Sequence, residues 1–162
     1  MFLLIAGFLI PVLLVFGLYH LLTWFNVLNI NDMVVWKRIG VTSAISHVIL
    51  ASGFFLFSYV DYEMNRSTTL AGIGFDAYLF NRSEFWRLML IFDTAPMLVL
   101  LGVFALLNRA GLNPPMLIAG TIAITLLVGT IQWYFVGGVI GLILERFWSG
   151  LKSGDETDEE WI

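Results

Sequence analysis

Cysteine is absent from the 162 residues of this chain, and charged residues make up only 12% of it. The lack of cysteine excludes disulfide bonds, thiolate metal sites and a cysteine nucleophile. A typical soluble domain has about 25% charged and roughly 45–50% apolar residues, whereas 59% of this chain is hydrophobic. The formal net charge of −4 leaves no basic surface for nucleic acid. The composition therefore argues against a soluble enzyme, a disordered chain and a nucleic-acid-binding protein.

Charge is also missing from four long stretches of the chain. Of the 8 basic and 12 acidic residues, only Asp93 falls inside these stretches. Each stretch has about 20 or more residues, enough for a helix to cross about 30 Å of hydrocarbon while satisfying its own backbone hydrogen bonds. The four segments are residues 2–25, 39–60, 88–107 and 116–144. We therefore predict an all-α integral membrane protein, a single four-helix bundle with four transmembrane spans.

Two polar segments are expected outside the hydrocarbon. Residues 61–87 mix charges with aromatic side chains, a composition typical of the headgroup region, so we expect a short interfacial helix or a folded loop. Residues 145–162 form an acidic tail, which we interpret as a solvated end in preference to a docking segment. Basic residues favour cytoplasmic termini in the cell membrane under the positive-inside rule. Lys37 and Arg38, which lie beside two spans, argue for the opposite orientation.

The two histidines, His20 and His47, lie in the first and second predicted spans, at similar distances from the connection between them. In a helical hairpin these side chains have similar depth, so we expect them to meet. Imidazoles from facing helices can ligate haem iron, and a titrating histidine can serve a quinone or proton site. The pair is therefore a candidate site for haem b, a quinone or a proton. We favour the alternative, an interhelical hydrogen bond that holds the spans together.

Asp93 is the only charged residue inside a predicted span, and Pro96 follows it closely. A carboxylate in hydrocarbon is costly, so it must be protonated, paired or wetted, and it is a functional candidate by default. Proline bends a helix and frees a backbone carbonyl. A cation or proton pathway can use such a carbonyl beside a carboxylate. Asp93 lies about six residues, or roughly 9 Å, beyond Arg87. We therefore expect it near the membrane interface, away from the histidines and paired with Arg66 or Arg82.

Small residues recur at helical spacing in the second and fourth predicted spans. Those of the second span share one helical face with His47. The positions are Gly40, Ala44, Ala51, Gly137 and Gly141. Small side chains let helices approach closely in lipid, where no hydrophobic force drives their association. We therefore predict that these positions pack against another helix, in this bundle or in another subunit.

The sequence contains no motif of a zinc protease, a P-loop, a dinucleotide-binding fold or a serine hydrolase. We therefore expect a multi-pass membrane protein that is not an enzyme, carries no resident cofactor and acts as a structural or assembly subunit through helix contacts. Its expected partners are the lipid bilayer and other membrane subunits or further copies of the chain. Two alternatives stay open. One is a redox or proton-handling subunit built on His20 and His47, and the other is a channel or transporter that uses Asp93.

Overall fold

The computed structural model describes residues 2–83, 87, 89, 93, 95–96, 98–100, 102–103 and 114–155. Within these residues the chain is helical and contains no β-strand, which confirms the all-α prediction. The elements are α1 (Phe2–Trp24), a 3-10 helix (Val27–Asp32), α2 (Val35–Asn65), α3 (Phe75–Asn81) and α4 (Pro114–Asp155). Two helices in this part of the chain are long and apolar enough to cross a membrane, α2 and the Met116–Ser149 portion of α4.

Both of these helices are longer than the sequence pattern predicts. Helix α2 takes in residues 61–65, which we assigned to the loop, and α4 takes in residues 145–155, which we assigned to the tail. These extensions contain leucine, glutamate, arginine and lysine, which are good helix formers, and no proline. Most of the predicted third span, residues 88–107, and the end of the tail, residues 156–162, lie outside the described residues.

A left-handed turn joins α1 to α2. Asn26, Leu28 and Asn29 have positive φ angles of 46°, 58° and 52°. Asparagine tolerates this conformation because its short side chain can hydrogen-bond locally. The side-chain oxygen of Asn26 accepts from the backbone N–H of Asn31 at 3.1 Å, and Arg38 Nη2 donates to the Asn31 carbonyl at 3.0 Å. Arg38 is the fourth residue of α2, so this hydrogen bond links α2 to the segment that joins it to α1.

Helices α2 and α4 run antiparallel and form the most extensive contact between the described elements. The contact requires glycine. A Cβ atom built at Gly40 would lie 2.9 Å from the Tyr134 carbonyl oxygen, and one at Gly141 would lie 2.6 Å from the Cα atom of Trp36. A larger residue at either position would force the backbones apart. The small residues of the two predicted spans thus pack against the facing helix of the same chain.

The segment after α2 folds back onto that helix through α3. The Tyr78 hydroxyl donates to the carboxylate of Asp61, near the end of α2. Leu79 of α3 is fully buried in a cluster with Ala51 of α2 and Met89. The segment predicted as a folded loop or short helix therefore closes one end of the α2–α4 pair.

Membrane crossing by α2 is testable with single cysteines because the chain has none of its own. Asn31, before α2, and Thr69, after it, are both exposed. If α2 crosses the bilayer, Asn31→Cys and Thr69→Cys will react with a membrane-impermeant maleimide from opposite sides of oriented vesicles. The buried control, Ser46→Cys, will react from neither side. Labelling of both exposed positions from one side would contradict the crossing.

The glycine requirement predicts opposite effects for two substitutions in α4. Gly141→Ala will lower the stability of the folded protein in detergent by about 1–3 kcal/mol, the range for overpacking a tight contact. Gly120→Ala is the matched control, since nothing lies within 4 Å of its new Cβ. It will be neutral or stabilising by up to about 1 kcal/mol, because alanine favours helix over glycine. Equal unfolding midpoints for the two variants would count against the close α2–α4 contact.

Candidate functional site

Helix α2, helix α4 and the region around Asp93 meet at a group of four side chains, which we call the polar cluster: His47, Asp93, Thr130 and Trp133. His47 Nε2 and Asp93 Oδ2 lie 2.9 Å apart. His47 Nδ1 lies 3.2 Å from the Thr130 hydroxyl oxygen. The second carboxylate oxygen of Asp93 accepts from the indole N–H of Trp133 at 2.9 Å. Both ring nitrogens of His47 and both carboxylate oxygens of Asp93 therefore have partners within the chain.

Asp93 occupies a break in helical structure. The residue itself is not helical, whereas Met89 before it and Ala95 after it are. An aspartate at such a position ordinarily caps the N–H of the second or third following residue. Here the N–H of Ala95 donates instead to the side-chain oxygen of Gln132 in α4, at 2.8 Å, and Pro96 has no N–H to cap. The carboxylate is thus released from capping and is available to His47 and Trp133.

The His47–Asp93 pair is closed to solvent in this structure, whereas Thr130 and Trp133 are partly buried. His47 is only 4% exposed and Asp93 only 2%. The imidazole and the Trp133 indole stack with centroids 6.3 Å apart, and a Cβ atom at Gly129 would lie 2.5 Å from two atoms of the imidazole. Because no side chain occupies that position on α4, the histidine can approach the helix closely. Gly129 is therefore as necessary to the site as the groups that form its hydrogen bonds.

The geometry accommodates two arrangements of charge. An imidazolium can donate from Nε2 to the carboxylate and from Nδ1 to the Thr130 hydroxyl. A neutral imidazole protonated on Nε2 keeps the bond to Asp93 and accepts the Thr130 proton on Nδ1. In an apolar environment, the attraction between the two groups offsets the loss of their hydration. Either group buried alone would have no such compensation. The arrangement can therefore join helices firmly, and it can hold one exchangeable proton.

The prediction that Asp93 lies away from the histidines is wrong for His47, which lies 2.9 Å from it. His47 lies twelve residues, or about 18 Å, along α2, which leaves about 12 Å of a span of roughly 30 Å on the side from which Asp93 enters. The depth of about 9 Å predicted for Asp93 is compatible with this contact, and its position relative to the membrane interface stays a prediction. Of the expected partners, Arg66 pairs with Glu63 at 3.1 Å and Arg82 is exposed.

The structure does not bring His20 to the polar cluster. His20 is exposed on α1, and its ring contacts are with Phe16 and Tyr19 of the same helix. The expected meeting of the two histidines is therefore not seen. The spacing from the turn predicts comparable depth for them, but it contains no information about which side of each helix faces the other.

Most of the small residues predicted to mediate packing contact other elements of the same chain. Gly40 faces Tyr134, Gly137 contacts Ser43, and the Gly141 contact with Trp36 is described above. Ala51 is fully buried in the cluster with Leu79, and Ala44 is partly buried. The three glycines therefore serve the contact between α2 and α4.

Haem does not fit the two-histidine arrangement in this structure. An axial ligand needs a free ring nitrogen, and both nitrogens of His47 are engaged by Asp93 and Thr130. Among the described residues, no group of three or more histidine, cysteine, aspartate or glutamate side chains is placed to hold a metal ion. Within the described residues, the polar cluster is therefore a hydrogen-bonded pair with two supporting partners, Thr130 and Trp133.

Thr130, Gln132 and Trp133 complete the site, although none belongs to a recognisable motif. The signal available in the sequence is their concentration: three groups capable of hydrogen bonding occur within four residues of an otherwise apolar segment. Polar residues inside a span tend to face protein. Their partners, which are His47 for Thr130, Asp93 for Trp133 and the Ala95 N–H for Gln132, become apparent only in the folded chain.

Comparison with known proteins finds no match to any protein-family model, curated protein or solved structure. The geometry of the polar cluster and of the surrounding helices is therefore the basis for assigning a function.

The His47–Asp93 pair predicts strong coupling between two substitutions. His47→Ala or Asp93→Ala alone will cost up to about 3 kcal/mol of stability, because each leaves a buried partner unsatisfied. The double variant will cost clearly less than the two single losses added together. Unfolding in detergent, followed by circular dichroism, measures all three values.

Two further variants calibrate that measurement. Trp133→Phe removes one hydrogen bond to Asp93 and keeps the aromatic ring, so it will cost about 1 kcal/mol. His20→Ala, at an exposed position, will change stability by less than about 0.5 kcal/mol. Additive losses for His47→Ala and Asp93→Ala would rule out the direct pair.

Proposed function

We propose that this chain is a multi-pass integral protein of the cell membrane in which α1, α2 and α4 cross the bilayer. Helices α2 and α4 meet the length and hydropathy requirement for spans. Helix α1 has 23 residues, or about 34 Å of helix, which also suffices. Because α2 and α4 run antiparallel, the segment between them begins and ends on the same side of the membrane. The predicted span at 88–107 and the predicted placement of both termini on the cytoplasmic side do not fit this arrangement, which puts the two termini on opposite sides.

Within the membrane, the protein acts as a structural or assembly subunit without catalysis of its own. The observation that carries this proposal is the burial and complete hydrogen bonding of the His47–Asp93 pair. Every polar atom of His47 and Asp93 that could act on a substrate is bonded to the chain, and both side chains are buried. Such an arrangement fixes helices relative to one another, which suits a rigid subunit better than a reactive site.

Contact with a partner falls to the outer sides of α1 and α4, since the small-residue faces are already occupied. These sides present large apolar side chains to their surroundings. Leu13 of α1 is 61% exposed, and Leu127 and Phe135 of α4 are 67% and 64% exposed. In a bilayer these surfaces contact lipid or the helix of another subunit, through van der Waals packing.

Site-specific photocrosslinking in native membranes tests the assembly role. Leu13→Cys, Leu127→Cys and Phe135→Cys, each coupled to a benzophenone maleimide, sample the outer sides of the two helices. An assembly subunit will yield a discrete heavier species from at least one of these positions, identical in repeated preparations. The buried position Thr125→Cys will yield none. Only lipid adducts at all three exposed positions would contradict the proposal.

A second candidate function, proton handling, is favoured by the His47–Asp93 pair itself. The pair holds an exchangeable proton in an apolar setting, as proton relays in membranes do. A protein of this kind also needs a wetted route to each side of the membrane.

Proton flux in liposomes separates the two candidates. For a structural subunit, vesicles containing the wild-type protein will equilibrate an imposed pH gradient no faster than empty vesicles. Flux above that baseline, lost in Asp93→Asn and retained in His20→Ala, would establish proton handling instead.

A further inference from the structure

An open groove separates α1 from α4. Helix α1 packs mainly against α2, which forms the floor of the groove. The volume of the groove is about 1080 Å³. Apolar side chains form most of its walls, among them Val12 and Val15 of α1 and Val136, Ile140 and Leu144 of α4. An open groove of this size must be filled by an apolar molecule when the protein is in a membrane.

Polar groups line the groove mainly at one end. Helices α1 and α4 both run antiparallel to α2, so their C-terminal ends lie on the same side. Tyr19 and His20 are near the end of α1, and Glu145 and Ser149 are near the end of α4. Deeper in the groove the lining is apolar except for the buried Ser43 and for Trp133, whose N–H is already bonded to Asp93. The groove thus has the polarity of an amphiphile.

The length of the groove matches one leaflet of a bilayer. Along α4 it extends from Trp133 to Ser149, sixteen residues or about 24 Å. One leaflet with its headgroups is about 20–22 Å thick, half of the 40–45 Å of the whole bilayer. The groove is therefore long enough for one lipid of a single leaflet.

The charged residue at the polar end selects the headgroup. Glu145 is the charged side chain that lines the groove, and it is exposed at the mouth. Lys37 and Arg38 do not line the groove: Lys37 lies over the Trp36 ring, and Arg38 donates to two backbone carbonyls in the connection that precedes α2. The carboxylate at the mouth complements the ammonium group of a lipid headgroup.

We propose that the groove between α1 and α4 binds one phospholipid with a primary-amine headgroup, such as phosphatidylethanolamine. The ammonium group lies at Glu145, and the acyl chains extend between Val12 and Ile140 toward Trp133. This site is distinct from the polar cluster and does not depend on the assembly role, because lipid retention is measured on the isolated chain.

Native mass spectrometry of the full chain in detergent tests the site, after incubation with equal amounts of phosphatidylethanolamine and phosphatidylglycerol. The wild-type protein will retain one lipid, with about a threefold preference for phosphatidylethanolamine, the ratio typical of a solvent-accessible ion pair. Glu145→Gln will lose that preference and keep the lipid. Ile140→Trp, which fills the groove, will lose most of the bound lipid of either kind.

Matched variants make each outcome decisive. Ile143→Trp places the same side chain on the same helix at an exposed position outside the groove, and it will retain lipid like the wild type. Val12→Trp fills the groove from α1 and will behave like Ile140→Trp, which guards against a folding defect in either variant. Equal retention by Ile140→Trp and Ile143→Trp, or an unchanged preference in Glu145→Gln, would overturn the proposal. So would a second polypeptide in the spectrum that both filling variants remove.

Discussion

The pairing of one carboxylate with one imidazole in an apolar interior is the constraint on which the rest of this structure depends. Asp93 alone would be expelled toward water, and His47 alone would leave two ring nitrogens to satisfy. Together they lie 2.9 Å apart, with Thr130 and Trp133 as outer partners. The geometry determines which faces of α2 and α4 turn inward, and it sets the depth of the segment that carries Asp93.

Close approach of the two long helices is the second requirement, and glycine meets it. The imidazole of His47 fits against α4 because Gly129 has no side chain. Further along the same α2–α4 interface, Gly141 packs directly against Trp36. Interhelical hydrogen bonds in membranes contribute modestly, about 0.6 kcal/mol on average. The hydrogen bonds of the polar cluster are therefore too weak to hold the helices together without the close packing around them. In turn, these bonds determine which faces of the two helices pack together.

The sequence predicts the helical class and the approximate position of the long helices because hydropathy and length are local properties. The interaction of small residues in α2 with another helix is also predictable from their spacing. The partner of Asp93 is not, because depth along each helix must be combined with rotation about it, and periodicity in one helix does not specify rotation relative to the next. The extension of α4 to Asp155 is missed because charge was taken to end a helix, whereas these residues are good helix formers.

The bond from the Ala95 N–H to Gln132 has a consequence for the order of events during synthesis. Residues around Asp93 leave the ribosome before α4 does, so the backbone amide of Ala95 and the carboxylate of Asp93 are synthesised before Gln132 and Trp133. Until α4 follows, these groups lack the hydrogen-bond partners of the folded chain and must bond to water or to another protein. The segment around Asp93 can therefore take its final position only after α4 is complete.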